Sequence, residues 1–396
     1  MKALLLTFLL CIATIFYSTE CCGESTKAID SLEISLLTCE PHPAIYSLYG
    51  HTAIRVQDFR TGEDIAVNYG VFDFNTPHFF LRFALGRTDY CMGIVPFSLF
   101  CSEYRSYGSG VIEQVLNLTD AEKMKILAAL RENYLPENRE YRYNYFYDNC
   151  TTRARDMLID NLERQVVQPP IVDSVATYRS MIHDYNADYP WARWGNDILL
   201  GFQSDVNTTQ AERQFLPLNL CADFDCMQLV SADGSHEKLV KEKFYVVAPG
   251  IQEQEEGFPL RPFMCALILL ILTVLVTVIE FVCKRWFWLY DALLMILTGL
   301  CGIILTMMIF SSHPTVNLNL QILVMNPLTL IFAYAVARRA CKHEIHWWWK
   351  IWTILIVLFL VGRLLQCYAE GMMILALSLL LRCISRNILK KRLEHI

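Results

Sequence analysis

Tyr141-Arg142-Tyr143-Asn144-Tyr145-Phe146-Tyr147-Asp148-Asn149-Cys150-Thr151-Thr152-Arg153-Ala154-Arg155-Asp156-Met157-Leu158 is the stretch on which the reading of this chain turns. Its aromatic residues give way at Asp148-Asn149 to a helical pattern carrying Ala154, Met157 and Leu158. Asn149 is a good helix N-cap, which puts Cys150 at the first helical position. A thiol there meets unpaired backbone N–H groups and the positive end of the helix, and both favour the thiolate. The bland alternative is a buried structural cysteine or a disulfide partner. A thiolate nucleophile needs a base, and the search for one leads upstream.

Tyr49-Gly50-His51-Thr52-Ala53-Ile54-Arg55-Val56-Gln57-Asp58 alternates β-branched with polar residues and reads as a strand. Thr61-Gly62-Glu63-Asp64 reads as a hairpin turn, and Ile65 to Tyr69 as the returning strand. His51 therefore begins the first strand of a hairpin. Taken alone it is more often a core histidine than a catalytic base. Ser31 to Cys39 and Ile112 to Leu118 are further expected strands. Thr119 with Glu122 is a capping-box signature for a helix through Asn133.

Beyond this region the chain divides into two solvents. It has 396 residues and a formal net charge of −6, with no basic stripe of the kind nucleic acid needs. Lys2 followed by the apolar run Ala3 to Tyr17 and the polar Ser18-Thr19-Glu20 fits an export signal over residues 1–23. Residues 24–258 have ordinary mixed polarity and form the expected exported domain. From 259 to 396 five apolar segments follow: Phe263 to Cys283, Trp288 to Phe310, Leu320 to Ala337, Trp349 to Gln366 and Gly371 to Ile384. The last is the shortest and the weakest candidate for a span. Basic residues follow the first, third and fifth segments (Lys284-Arg285; Arg338, Arg339 and Lys342; Arg386, Lys390, Lys391 and Arg392), while the other connections lack them. That alternation places the basic loops in the cytoplasm and the large domain outside, in the periplasm. Glu280, Asp291 and Arg363 are expected to face a bundle interior or an interface.

The sequence has fifteen cysteines. In an oxidising compartment some should pair, and Cys221 with Cys226 and Cys91 with Cys101 are candidates by proximity in sequence. No CxxC pair or histidine cluster has metal-ligand spacing, so no zinc site and no cofactor are expected. Trp191 and Trp194 read as aromatic packing, with a lid or membrane-dipping surface as the alternative.

The words Tyr-Gly-His-Thr-Ala-Ile-Arg-Val around His51 and Tyr-Asp-Asn-Cys-Thr-Thr-Arg around Cys150 resemble the permuted papain-like (NlpC/P60-like) superfamily, which includes the lecithin:retinol acyltransferase-like enzymes. The closer resemblance is to the Lnb family of Bacteroidetes, the lipoprotein N-acyltransferases. It runs through Asn68 to Phe74, Gln114 to Leu118 and Asp148 to Asp156. It continues in Asp291 to Leu294, His313, Asn317 and Asn319. The resemblance implies an α+β papain-like exported domain plus an all-α transmembrane bundle in the inner membrane. It implies Cys150 as nucleophile and His51 as general base. A third, orienting group is expected on the strand after His51, from Asn68 or Tyr69. Arg153 is assigned either to bracing the nucleophile helix or to a headgroup phosphate. His313, Asn317 and Asn319 belong to an outer loop that contacts a lipid headgroup or the catalytic domain, or is a solvated turn.

The implied reaction takes an acyl chain from a membrane phospholipid onto Cys150 and passes it to the α-amine of a diacylated lipoprotein. A cell-wall peptidase or amidase with the same dyad is the first rival reading. A non-catalytic envelope scaffold is the second.

Overall fold

The computed structural model describes residues 31–72, 77–169, 176–252 and 257–394. The export signal expected over 1–23 lies outside the described residues. The first part of the chain is built on a seven-stranded sheet in the order β10-β5-β1-β2-β3-β4-β6. Its strands are β1 (Leu32–Cys39), β2 (His51–Asp58), β3 (Glu63–Val71), β4 (Asp89–Pro96), β5 (Val111–Leu116), β6 (Glu140–Arg142) and β10 (Val240–Val247). All neighbouring pairs are antiparallel. A smaller sheet joins β7 (Gln165–Val167), β8 (Gln228–Val230) and β9 (His236–Lys238).

Helices alternate with these strands: α1 (Phe79–Ala84), α2 (Phe97–Ser106), α3 (Asp120–Tyr134), α4 (Cys150–Ile159), α5 (Tyr178–Tyr185), α6 (Pro190–Leu199), α7 (Gln210–Arg213) and α8 (Pro217–Cys226). The interior strand β1 is buried almost throughout because both sheet faces are covered. Ile34 and Leu36 pack with Ile54, Val56, Val67, Ile126 of α3, Leu158 of α4 and Phe224 of α8. Leu37 and Cys39 face the other way, with Ala53, Ala66 and Phe97 and Phe100 of α2. One charged cluster in the core is fully matched. Buried Glu113 receives two N–H bonds from Arg55 at 3.1 and 2.9 Å, and Arg55 also forks onto Asp64.

The expected capping box is present, with Thr119 and Glu122 satisfying each other's backbone N–H groups. The expected cysteine pairs are absent, and Cys91, Cys101, Cys221 and Cys226 are all free thiols. Cys221 and Cys226 lie five positions apart on the single helix α8, which points their side chains to different sides.

The second part is helical: α9 (Pro262–Cys283), α10 (Trp288–Ile309), α11 (Pro327–Ala340), α12 (Trp348–Gly362) and α13 (Met372–Glu394). Among the described residues four stretches, Pro262–Cys283, Trp288–Ile309, Pro314–Ala340 and Met372–Lys390, are long and apolar enough to cross a bilayer. The short one is α12 rather than the last, because its helix stops at Gly362 while α13 runs on to Glu394. Its 15 residues span about 22 Å at 1.5 Å each, short of a hydrocarbon core of about 30 Å. Helices α10 and α11 approach closely at Gly299 and Gly302, where an added Cβ would collide with the backbone of Leu330 and Pro327.

Glu280 of α9 and Asp291 of α10 meet Arg382 and Arg386 of α13, all four fully buried. Arg382 reaches Asp291 and Glu280 at 2.8 Å, and Arg386 pairs with Glu280 at 2.7 Å and also with Asp291. The four charges sum to zero, which is how ionised groups persist away from water. Arg363, by contrast, ends exposed beside Cys367.

Candidate active site

Cys150 owes its place to a small turn and a cap. Asn144 and Asp148 exchange two backbone bonds of 2.9 Å and close the turn. Asn149 then leaves extended backbone, accepts the N–H groups of Thr151 and Thr152 at 2.9 Å on its side-chain oxygen, and donates its own N–H to the Thr152 hydroxyl. Its amide nitrogen also donates to Tyr145 O and Phe215 O at 2.9 Å. With all its polar groups used, Asn149 holds the helix start rigidly, and Cys150 follows as the first residue of α4. Thr52 and Thr151 join hydroxyls at 3.1 Å and tie that helix to β2.

The strand side is shaped by a break in the ladder. The β2–β3 register ends at the pair Ala53 and Asn68. Between Asn68 and Val71, β3 slips out of register with β4. Gly70 takes φ +90 in this bulge, and a Cβ there would lie 3.7 Å from Cys150 Cβ. His51 and Asn68 are diagonal neighbours on one face of the β2–β3 pair, and His51 Nε2 lies 3.0 Å from Asn68 Oδ1. An amide oxygen only accepts, so Nε2 carries a proton and Nδ1 is left for the thiol.

The two groups tune each other. Burial pushes the Cys150 thiol up, but the charge of His51, its hydrogen bond, the Thr52 N–H and the Thr151 hydroxyl bring it down to about 7. Burial pushes the His51 imidazole down, and the opposing charge and hydrogen bond of Cys150, with the bond to Asn68, hold it above its usual value. A thiolate beside an imidazolium near neutral pH is a nucleophile with its proton already parked on the base.

With this geometry in view, two family models match the chain. The Lnb N-terminal periplasmic domain matches residues 21–186, and the Lnb transmembrane domain matches residues 252–393. The chain belongs to the Lnb family. No curated protein and no solved structure matches it. Lnb membership makes the sheet-rich part a periplasmic domain and the helical part a transmembrane domain.

Other residues singled out in the sequence of this Lnb chain fall in three places. Tyr69, the alternative to Asn68, turns to the opposite sheet face and donates its hydroxyl to Asn133 of α3 at 2.9 Å. Arg153 forks onto Asp148 at 2.6 and 2.9 Å and lies 3.6 Å over the Tyr141 ring, so its guanidinium braces the turn before Cys150. Asn319 is buried and spent on structure. It donates to Ile198 O at 2.7 Å and accepts from Gln321 and Gln366. His313 is buried against Phe83 of α1, with Nδ1 unpartnered. Asn317 lies beside Gly201, whose Cβ would strike the Asn317 carbonyl. The outer loop is thus a contact with the periplasmic domain, not a solvated turn.

Sequence reasoning missed Thr52, Thr151 and Gly70, which shape the thiol's surroundings. Gly70 carries a signal, a glycine directly after the orienting strand residues, but the bulge it serves depends on pairing with β4.

Proposed function

We propose that this chain is a thiol-dependent acyltransferase of the inner membrane. It moves an acyl chain from a membrane phospholipid, through a thioester on Cys150, to the N-terminal amine of a diacylglyceryl-cysteine lipoprotein. The observation that carries the reading is the Cys150–His51–Asn68 array. Its parts are a thiol at a helix start, an imidazole on a strand and an amide on the next strand, the set that the resemblance to the permuted papain-like enzymes implies. It stands in a periplasmic domain fused to a membrane domain, where both lipid substrates are confined.

The Cys150 thiolate attacks the ester carbonyl, and the tetrahedral intermediate collapses by breaking the ester C–O bond. His51 gives its Nδ1 proton to the departing lysophospholipid oxygen. The lipoprotein amine then attacks the thioester, His51 takes a proton from it, and the thiolate leaves as the amide forms. Asn68 keeps the ring in the productive orientation by accepting from Nε2 throughout. Neither step changes an oxidation state or requires a nucleotide.

The test is the intact mass of a reporter lipoprotein in cells depleted of the protein and complemented with wild type or Cys150→Ala. Wild type is expected to restore one acyl chain and the variant none. A reporter mass indifferent to the protein sinks the reading, and muropeptide analysis for wall hydrolysis then follows.

A further inference from the structure

Tyr141 stands on β6 with its ring between Arg153 and Tyr69. The side chain is 7% exposed and its hydroxyl is buried with no hydrogen-bond partner. A folded protein seldom keeps such a group unless something later meets it. The hydroxyl lies beside the nucleophile. The position that a Cβ on Gly70 would take is 3.9 Å from Tyr141 Oη and 3.7 Å from Cys150 Cβ. Gly70, by having no side chain, leaves an atom-sized space flanked by the thiol-bearing carbon on one side and an unmet O–H donor on the other.

We propose that Tyr141 is a further catalytic residue, whose hydroxyl donates a hydrogen bond to the oxyanion formed when an acyl carbonyl is attacked by Cys150, in the space that Gly70 leaves open. This rests on the reading of Cys150 as the acyl-accepting nucleophile. As the S–C bond forms, the carbonyl π pair moves onto oxygen, and the Tyr141 O–H meets that charge without giving up its proton. The pair returns when the ester C–O bond breaks. The same donor serves the second intermediate, when the amine attacks the thioester. Two features suit the phenol to this task. The Arg153 guanidinium over the ring draws electron density from it and strengthens the O–H as a donor. Burial pushes the phenol's pKa up, so it stays a donor at neutral pH instead of a phenolate that would repel the oxyanion.

The experiment uses the full chain in detergent and Tyr141→Phe, which keeps the ring and its contact with Arg153. Two reactions of Cys150 are compared: acylation by p-nitrophenyl butanoate, which passes through an oxyanion, and alkylation by iodoacetamide, which does not. Acylation is expected to slow roughly 10²-fold, the usual effect of removing one oxyanion donor. Alkylation should keep its wild-type rate and pH profile. Acylation at the wild-type rate overturns the proposal, and so does a parallel fall in alkylation, since that would mean Tyr141 only positions the thiol. The ester involves no lipoprotein, so the assay is independent of the acceptor. If the reporter mass is the same in depleted cells, with wild type and with Cys150→Ala, while Tyr141→Phe slows ester acylation, the lipoprotein reading fails and the Tyr141 role stands. A wild-type Cys150 that takes no acyl group from the ester overturns both.

Discussion

At the scale of single residues, the thiol and the imidazole hold each other in their charged forms against a burial that opposes both. The sign of the pH dependence follows. The reactive thiolate should accumulate as pH rises through about 7, below the roughly 8.5 of a free cysteine. Iodoacetamide kinetics across pH 5–10, followed by mass at Cys150, are expected to show that midpoint. In His51→Ala burial acts on the thiol without the imidazolium to oppose it, and the midpoint should rise above the free-cysteine value. A midpoint that stays near 7 in the variant would assign the effect to the helix start alone. Cys150 and His51 were legible as candidates because each sits in a recognisable local word, a cap before a helix and a polar residue opening a strand. The choice between Asn68 and Tyr69 was not legible. Neighbours on a strand point to opposite faces, and only the register with β2 shows which face His51 uses.

At the scale of elements, one side chain organises the start of α4. Asn149 accepts from Thr151 and Thr152 and donates to the carbonyls of Tyr145 and Phe215, so it joins the helix to the turn before it and to the segment entering α8. Losing a cap alone costs about 1 kcal/mol, and two stranded buried carbonyls add to that. Asn149→Ala is expected to lower stability by about 2–3 kcal/mol, read as a drop in the thermal midpoint of the purified protein. It should also raise the Cys150 alkylation midpoint, because the Thr151 hydroxyl that meets the thiol is displaced as the helix start frays. Strands β1, β2, β3 and β5 and helices α3 and α4 were legible from alternation and capping signals, whereas β4, β6, β10, α1 and α2 were not read from sequence. The structural role of helix α6 was not legible, because its last carbonyls are met by side-chain amides of loops more than a hundred positions away.

At the scale of the molecule, those partners form a clasp between the two domains. Asn319, Gln321 and Gln366 of the outer loops donate to Ile198 O, Asp197 O and Leu200 O at 2.7, 2.7 and 3.1 Å, satisfying carbonyls at the end of α6. Cys367 N–H binds Asp205, which Arg179 holds from the other side. From the same unit Asn186 and Asn196 grip the hydroxyl of Tyr49, two residues before His51. The clasp therefore links the strand that carries His51 to the outer loops of the membrane domain. Gln321→Ala with Gln366→Ala is expected to cut acyl transfer from vesicle phospholipid roughly tenfold or more while Cys150 acylation by p-nitrophenyl butanoate stays within about twofold, since the two side chains together make several hydrogen bonds of about 0.5–1.5 kcal/mol each. Equal losses in both assays would mean that the clasp supports the site itself. The buried charge quartet has a consequence of another kind, in time. Its acids lie on the first two membrane helices and its arginines on the last, with 91 positions between Asp291 and Arg382. At about 5–20 residues per second, a ribosome exposes the two carboxylates for several seconds before their counterions emerge. Through that interval the nascent chain carries an unfinished pair of helices, which gives chaperones and proteases of the membrane a means of telling complete copies from incomplete ones.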